Sequence, residues 1–322
     1  MTQTRRGVLA LAGVALARPS LAQDSWPGRP VRIVVAYPPG GSTDIIARLL
    51  AERLSRAWGQ PVVVENRAGA AGTLGADAVA KAAPDGTTLL VAASPEIAIA
   101  RSTQRNLPYH PVRDFEPITL ISESPFLLLV NPQLQARNVT ELVALARAEP
   151  GRLNFASFGT GTSTHLVGEL FRATAGIDIT HVPYRGSAPA MTDLIAGQVQ
   201  MAFDTIPAGL PHLRDGRLRG LAVARAERSA LAPDIPTMAE AGLPGFVGGT
   251  WAALLAPART PPPIIQRIWR DVDAAMRHGL VAALTERGTE PAAQGPEALR
   301  RFIEAEVTKW SAVAERAGIR PE

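Results

Sequence analysis

Two hydrophobic patterns alternate along the chain: short continuous apolar runs, and longer segments in which apolar residues recur at helical spacing. Residues 31–36 form a run rich in β-branched side chains, which predicts a strand. The segment Tyr37-Pro38-Pro39-Gly40-Gly41 follows, and its prolines and glycines exclude the interior of a helix or strand. A helix is then predicted, because large apolar side chains recur every three or four residues at Ile45, Ile46, Leu49, Leu50 and Leu54.

The same order of strand, loop and helix repeats down the chain. Further strands are predicted at residues 61–65, 87–93, 126–130, 153–156, 179–182, 199–203, 218–224 and 249–256. Further helices are predicted up to about residue 81 and at residues 140–149, 163–175, 188–196, 261–278 and 296–317. This alternation is typical of an α/β fold with mostly parallel sheets and helices on both faces.

Two proline-rich connections, near residues 108–125 and 225–250, interrupt this rhythm. They predict two α/β lobes that are joined by two hinge crossings and separated by a cleft. Lobe 1 is expected to comprise residues 23–123 plus 228–322, and lobe 2 residues 124–227.

The first 22 residues have the pattern of a cleavable signal peptide. Arg5 and Arg6 precede an apolar run over residues 8–17, and Ser20-Leu21-Ala22 fits a cleavage site before Gln23. The arginine pair resembles a twin-arginine signal, and the alternative to a signal peptide is a buried N-terminal helix. Export to the periplasm is therefore expected.

Removal of this segment changes the charge of the protein. Of 33 basic residues 30 remain, against 29 acidic ones, so the net charge falls from +4 to +1. No basic patch interleaved with aromatics remains, and a nucleic-acid partner is not expected.

The chain has no cysteine, which excludes disulfides, cysteine zinc sites and thiol nucleophiles. Its five histidines show no metal-ligand spacing, and no metal or cofactor is expected.

A pair of similar loops carries the most informative chemistry. Each predicted lobe has a strand, a glycine-containing loop rich in hydroxyls, and a helix; the loops span residues 37–43 and 157–165. Glycine lets a ligand approach the backbone, and the first amides of a helix have no internal partner. Two such helix starts facing each other would hold an anionic, carboxylate-bearing ligand without a lysine. The alternative is that both are simply capped helix starts.

An enzyme is the second hypothesis. Ser163 and His165, with Asp178 or Asp204, would make a hydrolase triad on paper, although no Gly-x-Ser-x-Gly elbow is present. His165 lies in the first turn of its predicted helix, where it is expected to donate a hydrogen bond to a loop or a ligand rather than act as an acid. The alternative is that it is a packed polar side chain. Asp44 is expected as a helix-start charge, or alternatively as a group that orients the Gly40-Gly41 loop. Asp204 follows an apolar strand and is expected at the cleft, accepting from a ligand or from backbone amides.

Ordered motifs along nearly the whole chain resemble one family. They include Tyr37-Pro38-Pro39-Gly40-Gly41-Ser42-Thr43-Asp44, Pro84-Asp85-Gly86-Thr87-Thr88-Leu89, Ser157-x-Gly159-x-Gly161-Thr162-Ser163-x-His165, Val182-Pro183-Tyr184-Arg185-Gly186-Ser187 and Phe203-Asp204. These are similar to the motifs of the Bug family, the periplasmic substrate-binding proteins of tripartite tricarboxylate transporters. The resemblance implies a type II periplasmic binding protein-like fold that closes on a small carboxylated ligand.

The resemblance also implies the ligand-binding residues. In the family the two loops contact the ligand carboxylates, which carries over to Gly40, Gly41, Ser42, Asp44, Gly159, Gly161, Thr162, Ser163 and His165. Tyr37, Pro39 and Ser157 belong to the same loops, and further candidates for the pocket wall are Ser94, Tyr184, Gly186 and Asp204. The expected partners are a small organic acid and, transiently, membrane transporter subunits. The protein is expected to be a monomer without enzymatic activity, or alternatively a sensor that presents its ligand.

Overall fold

The computed structural model describes residues 26–321, and the predicted signal peptide with its cleavage site before Gln23 lies outside the described residues. The elements up to residue 148 are β1 (Val31–Val35), α1 (Ser42–Trp58), β2 (Val62–Asn66), α2 (Thr73–Ala80), β3 (Thr88–Ala93), α3 (Ala100–Thr103), β4 (Phe115–Val130) and α4 (Val139–Ala148). Single turns at Ala70–Gly72 and Pro95–Ile99 precede α2 and α3.

The second part of the chain continues the alternation. Its elements are β5 (Asn154–Ser157), α5 (Ser163–Ala175), β6 (Thr180–Pro183), α6 (Ser187–Ala196), β7 (Met201–Thr205), α7 (Ile206–Arg214), β8 (Arg219–Val223), β9 (Gly249–Pro257), α8 (Pro262–Ala275), α9 (Val281–Thr285), β10 (Glu290–Gln294) and α10 (Pro296–Arg316). A turn at Met276–Leu280 joins α8 to α9.

The strands form a curled mixed sheet in the order β2-β1-β3-β9-β4-β7-β5-β6, with β8 and β10 also paired to β4. The outer strands of each half are parallel, as the alternation predicts: β1 pairs with β2 and β3, and β5 with β6 and β7. The strands in the middle are antiparallel, because β4 and β9 return the chain between the halves. The architecture is therefore a two-lobed α/β fold whose sheets are mixed rather than mostly parallel.

Strand β4 differs most from the sequence prediction. Residues 108–125 were expected to be a connection, but β4 begins at Phe115 and runs without a break to Val130. Its first part pairs with β9 in one half of the sheet, and its last five residues pair with β7 and β8 in the other half. One strand thus belongs to both lobes. The lobe limits after residues 123 and 227 stay a prediction.

Alternating side chains of the strands fill cores on both faces of the sheet. In β1, Ile33 and Val35 pack with α1 and α8, whereas Val34 packs on the opposite face with α2. In β4, Leu127 and Leu129 pack toward α6, and their neighbours pack toward α5. This period-two burial on both faces explains why the strands are nearly continuous apolar runs.

Helix α10 ties the end of the chain to both lobes. It was expected to return to lobe 1, and it does pack against α3 and β4; it also contacts α5 in the other half. Its large buried apolar side chains are Leu299, Ile303, Trp310 and Val313, which share one helix face. The indole N–H groups of Trp310 and Trp251 both donate to the buried Glu306 carboxylate.

The close packing of α5 on β5 gives a testable prediction. Gly168 is buried in α5, and a Cβ there would lie 2.1 Å from a ring carbon of the fully buried Phe155. Gly168→Ala should therefore destabilise the protein by ~1–3 kcal/mol, although alanine favours a helix by about 1 kcal/mol over glycine. Chemical denaturation measures the effect.

A double variant provides the control. Phe155→Leu should create space for the new methyl group, so the double variant should lose less stability than the sum of the two single changes. Strict additivity would contradict a contact between these positions.

Candidate functional site

A cavity of about 640 Å³ lies between the two lobes and is lined by residues of both loops predicted from the sequence. Gly41 and Ser42 come from the first loop, and Thr162 and Ser163 from the second. A smaller cavity of about 230 Å³ is lined in part by residues of β4 and β9 and contains none of the predicted site residues. The larger one, called the cleft cavity below, is therefore the candidate site.

Four helices begin at the wall of the cleft cavity. The wall includes Ser42 of α1, Ser163 of α5, Ser187 of α6 and Thr205, which precedes α7. The first-turn amides of a helix have no intrahelical acceptor and carry the positive end of the helix dipole, although Pro189 in α6 and Pro207 in α7 have no N–H to donate. The residues that line the cavity include no arginine, lysine or histidine. The groups of this wall that favour a small anion are therefore the helix starts and hydroxyls, without a cationic side chain.

Asp44 holds the first loop from behind the wall. Its buried carboxylate accepts hydrogen bonds from the Gly40 N–H at 3.0 Å, from two guanidinium nitrogens of Arg48 at 2.9 and 3.0 Å, and from the Asn66 amide at 2.9 Å. The Arg48 hydrogen bonds, with those from Gly40 and Asn66, lower the pKa of Asp44 to about 2 despite its burial. The carboxylate therefore stays charged and fixes Gly40, which has a φ of 90°.

Tyr37 lines the cleft cavity and is anchored by a buried acid. Its hydroxyl donates to Glu96, which is fully buried and also accepts from the Ala93 N–H at 2.6 Å. Burial raises the pKa of Glu96 to about 7, while the hydrogen bonds from Tyr37 and Ala93 oppose this. The tyrosine ring therefore has a defined position on the wall.

The second loop is folded around the start of α5. The Thr162 side chain caps the helix by accepting from the His165 N–H, and its hydroxyl donates to the Gly159 carbonyl at 2.7 Å. The Gly161 N–H donates to Nδ1 of His165 at 3.2 Å. Gly159 and Gly161 have φ values of 129° and 76°, which side chains other than glycine rarely adopt.

Toward this loop His165 is an acceptor rather than the expected donor; donation to a ligand stays a prediction. Its ring is buried and stacks on His181, with 4.0 Å between ring centroids. Burial, the neighbouring His181 and Arg172 lower the pKa of His165 to about 4, so the ring is neutral near pH 7. The Ser157 hydroxyl holds the stacked partner through Nε2 of His181 at 2.6 Å.

Three hydroxyls connect the lobes beneath the wall. The Ser94 hydroxyl at the end of β3 bonds to that of Ser163 and to that of Thr250 in β9, both at 2.9 Å. Ser94 is fully buried and does not line the cavity. It links lobe 1 to the first residue of α5.

Asp204 is the acidic residue of the wall. Its carboxylate accepts from the Ser187 hydroxyl and from the Thr205 N–H. Burial raises the pKa of Asp204 to about 6, against the opposing effect of these hydrogen bonds. Its position at the starts of α6 and α7 agrees with the expectation that it accepts from backbone amides.

Apolar side chains cover much of the remaining wall. They include Pro38, Ile46, Phe126, Phe158 and Trp251. The cavity therefore combines amide and hydroxyl donors for an acidic group with apolar surface for a hydrocarbon body.

The structure brings half of the predicted site residues to the wall and places the others behind it. On the wall are Tyr37, Pro39, Gly41, Ser42, Thr162, Ser163, Gly186 and Asp204. Outside the wall are Gly40, Asp44, Ser94, Ser157, Gly159, Gly161, His165 and Tyr184, whose hydroxyl donates to Asp193. The polar atoms of most residues in this second group bond to neighbouring protein groups. These residues therefore support the loops rather than face the cavity.

Sequence reasoning missed several polar residues of the wall. These are Thr43, Ser122, Ser124, Thr164, Ser187, Thr205 and Thr250. The signal for Ser187 was present, because Gly186-Ser187 precedes a predicted helix. Ser122 and Ser124 were missed with the strand that carries them.

The geometry does not assemble a hydrolase. Ser163 bonds to Ser94, and His165 bonds to Gly161, so the two side chains are not paired with each other. Within residues 26–321, no group of histidine and acidic side chains has the arrangement of a metal site. None of the helices in this part of the chain combines the length and the hydrophobicity of a transmembrane span.

Comparisons with known proteins agree with this geometry. Residues 46–319 match the family model described as tripartite tricarboxylate transporter family receptor. The protein BugT of Bordetella pertussis is 40% identical over 324 residues, covering 99% of each chain. The solved structure of R. palustris Rpa4515 with adipate is 39% identical, with a TM-score of 0.81, and covers 92% of this chain and 100% of that one. MatC (Rpa3494) from Rhodopseudomonas palustris with bound malate is 36% identical, with a TM-score of 0.76 and coverage of 90% and 100%.

The role of Asp44 gives a prediction with a defined pH dependence. Asp44→Asn removes the charge that three neighbours bond, and should destabilise the protein by ~1–3 kcal/mol at pH 7. Because folding lowers the pKa of Asp44 to about 2, its contribution is complete above the unfolded pKa of ~3.9 and is lost as the pH falls toward 2. Denaturant unfolding at several pH values should show the difference from wild type shrinking below about pH 4.

Glu52→Gln is the matched control, since Glu52 pairs with Arg56 one turn away on the exposed face of the same helix. It should cost no more than ~0.5 kcal/mol. A similar loss for both variants would contradict a special role for Asp44.

Proposed function

Because the chain belongs to the tripartite tricarboxylate transporter receptor family, we propose that it binds a small organic acid in the cleft cavity and delivers it to the membrane subunits of such a transporter. The resemblance to the Bug family is confirmed, and members of this family are solute receptors. The protein is accordingly a receptor and not an enzyme, and the hydrolase hypothesis is wrong.

One observation carries the choice of ligand. Two glycine-containing loops from different lobes meet on one cavity, and each presents the start of a helix to it. Backbone amides and hydroxyls donate hydrogen bonds, which a carboxylate accepts at both oxygens. Solved relatives carry adipate and malate in the same fold, which supports a carboxylate ligand here.

The apolar part of the wall narrows the ligand class. Proline, isoleucine and aromatic side chains face a volume of about 640 Å³, which is ample for an acid of a few carbon atoms. Contacts to both lobes would favour a closed conformation when the ligand is present. The membrane subunits would then recognise that conformation. We infer that export proceeds through the signal peptide of residues 1–22, which places the receptor in the periplasm.

Calorimetry with mono-, di- and tricarboxylates tests the receptor function, and small-angle scattering tests closure. At least one carboxylate is expected to bind and to make the protein more compact, whereas amines and neutral amides of the same size should not. Absence of binding across the acids, together with unchanged scattering, would contradict the proposal.

A variant at Gly41 locates the binding site. Gly41 has extended backbone, and a Cβ there would meet nothing nearer than the Pro38 carbonyl at 3.9 Å. Gly41→Val should therefore fold normally, but its side chain would occupy the space in front of α1 and weaken ligand binding by roughly tenfold or more, equivalent to the loss of a charge-assisted hydrogen bond. Calorimetry measures the affinity.

Ala57→Val, on the exposed side of the last turn of α1, is the matched control and should bind as wild type does. Equal affinity for the Gly41 variant and wild type would place the ligand elsewhere.

A further inference from the structure

One buried acid stands on the wall of the cleft cavity. Among the described residues that line this cavity, Asp204 is the only acid, and none carries a positive charge. The residue is 1% exposed, so water screens its charge little. In the proposed function a carboxylate enters the cavity, where its charge would be repelled by an ionised Asp204. Two carboxyl groups in one poorly screened site favour a state in which one of them holds a proton.

The hydrogen bond between Ser187 and Asp204 shows what that proton would change. Oδ2 of Asp204 accepts from the Ser187 hydroxyl, and Oδ1 accepts from the Thr205 N–H at 2.7 Å. A serine hydroxyl has one hydrogen, and an ionised carboxylate can only accept it. Ser187 itself lines the cavity. While Asp204 is ionised, Ser187 can therefore offer a ligand only lone pairs, which a ligand carboxylate cannot use.

Protonation of Asp204 at Oδ2 reverses this bond. The carboxylic acid then donates to Oγ of Ser187, while the Thr205 N–H still donates to Oδ1. The Ser187 hydrogen is released and can bond to an acceptor in the cavity. One proton taken from solvent thus removes a negative charge from the wall and adds a donor to it. Both changes favour a bound carboxylate.

Asp204 titrates without a charged partner. Its side chain lies on the α6 face of the sheet, since Ala202, two residues earlier in β7, packs in the core with α6. The ionisable residues on the elements around it are Tyr37 on the first loop, Glu116 and Glu123 of β4, His165, Glu169 and Arg172 of α5 on the other face of the sheet, Tyr184 and Arg185 before α6, Asp193 of α6, His212 and Arg214 of α7, and Glu286 and Arg287 of the turn whose Gly288 lies against Pro207. None of these shifts the pKa of Asp204, which burial raises to about 6 against the hydrogen bonds from Ser187 and Thr205.

We propose that the receptor binds its carboxylate together with one proton, which Asp204 takes from solvent, and that Ser187 then donates a hydrogen bond to the ligand. The inference deepens the proposed function and rests on it. Affinity should be highest where Asp204 is already protonated. It should fall as the pH rises above about 6, because each binding event must then also take up a proton.

Calorimetry counts this proton. The probe is the acid that binds most tightly in the carboxylate series described above, which includes acetate, malate and adipate. It is titrated at pH 6.5 and at pH 8.5, each time in two buffers with different heats of ionisation. Wild type should bind about tenfold or more weakly at pH 8.5 than at pH 6.5, and the difference between buffers at pH 8.5 should correspond to the uptake of about one proton.

Asp204→Asn replaces the protonated acid by a neutral group of the same shape. Its amide nitrogen can donate to Ser187, and its oxygen can accept from the Thr205 N–H. The variant should therefore bind at pH 8.5 at least as tightly as wild type does at pH 6.5, without proton uptake. Asp215→Asn is the matched control, since Asp215 is exposed just after α7 and pairs with Arg217. It should keep the pH dependence of wild type.

The outcomes separate this inference from the receptor function. If wild type binds equally at both pH values with a heat that does not depend on the buffer, proton uptake is wrong while the receptor function stands. Proton uptake that persists in Asp204→Asn, or weaker binding of this variant than of wild type at both pH values, would overturn the role of Asp204. If no acid of the series binds at either pH, the receptor function itself is wrong.

Discussion

The convergence of four helix starts on one cavity without a cationic side chain is the constraint on which the rest of the structure depends. Each helix start contributes about 0.3–1 kcal/mol toward a nearby anion, and more where water is partly excluded. Arginine or lysine would supply more from one side chain, but would bind any anion that reached it. In the proposed function, fixed amides would favour an anion that fits between them, so their positions would set both affinity and selectivity.

Fixed positions require support, and the structure provides it immediately behind the wall. Asp44 holds Gly40, His165 holds Gly161, and Glu96 holds Tyr37. All three supporting side chains are buried. Ser94 adds a link between the lobes, since its hydroxyl bonds to that of Ser163 in the second lobe and to that of Thr250 on β9. These hydroxyl contacts join the first residue of α5, on the cavity wall, to the end of β3 and to β9.

The sequence predicted the local elements well where start and stop signals are strong. Helix α5 was expected at residues 163–175 and is found there, because Thr162 caps its start and Gly176 ends it in a left-handed conformation. The first part of β4 was missed because its prolines and polar residues resemble a loop. Its pairing with β9 and β10 compensates for these residues, and no local pattern shows that pairing.

Helix α7 was missed because Pro207 and Pro211 argue against a helix, yet Pro207 stands in the first turn, where no N–H is needed. The same limit applies to Asp44: its partner Asn66 is distant in sequence, so the sequence left open whether Asp44 contacts the ligand or orients the first loop.

A crystal structure of the protein with the tightest-binding carboxylate would test the central claim most directly. The account predicts ligand carboxylate oxygens within hydrogen-bond distance, directly or through one water, of the amides at residues 41–43 and 162–164. It also predicts no arginine or lysine in contact with the ligand. A carboxylate bound outside the cleft cavity, or held there by a cationic side chain with both helix starts unoccupied, would contradict it.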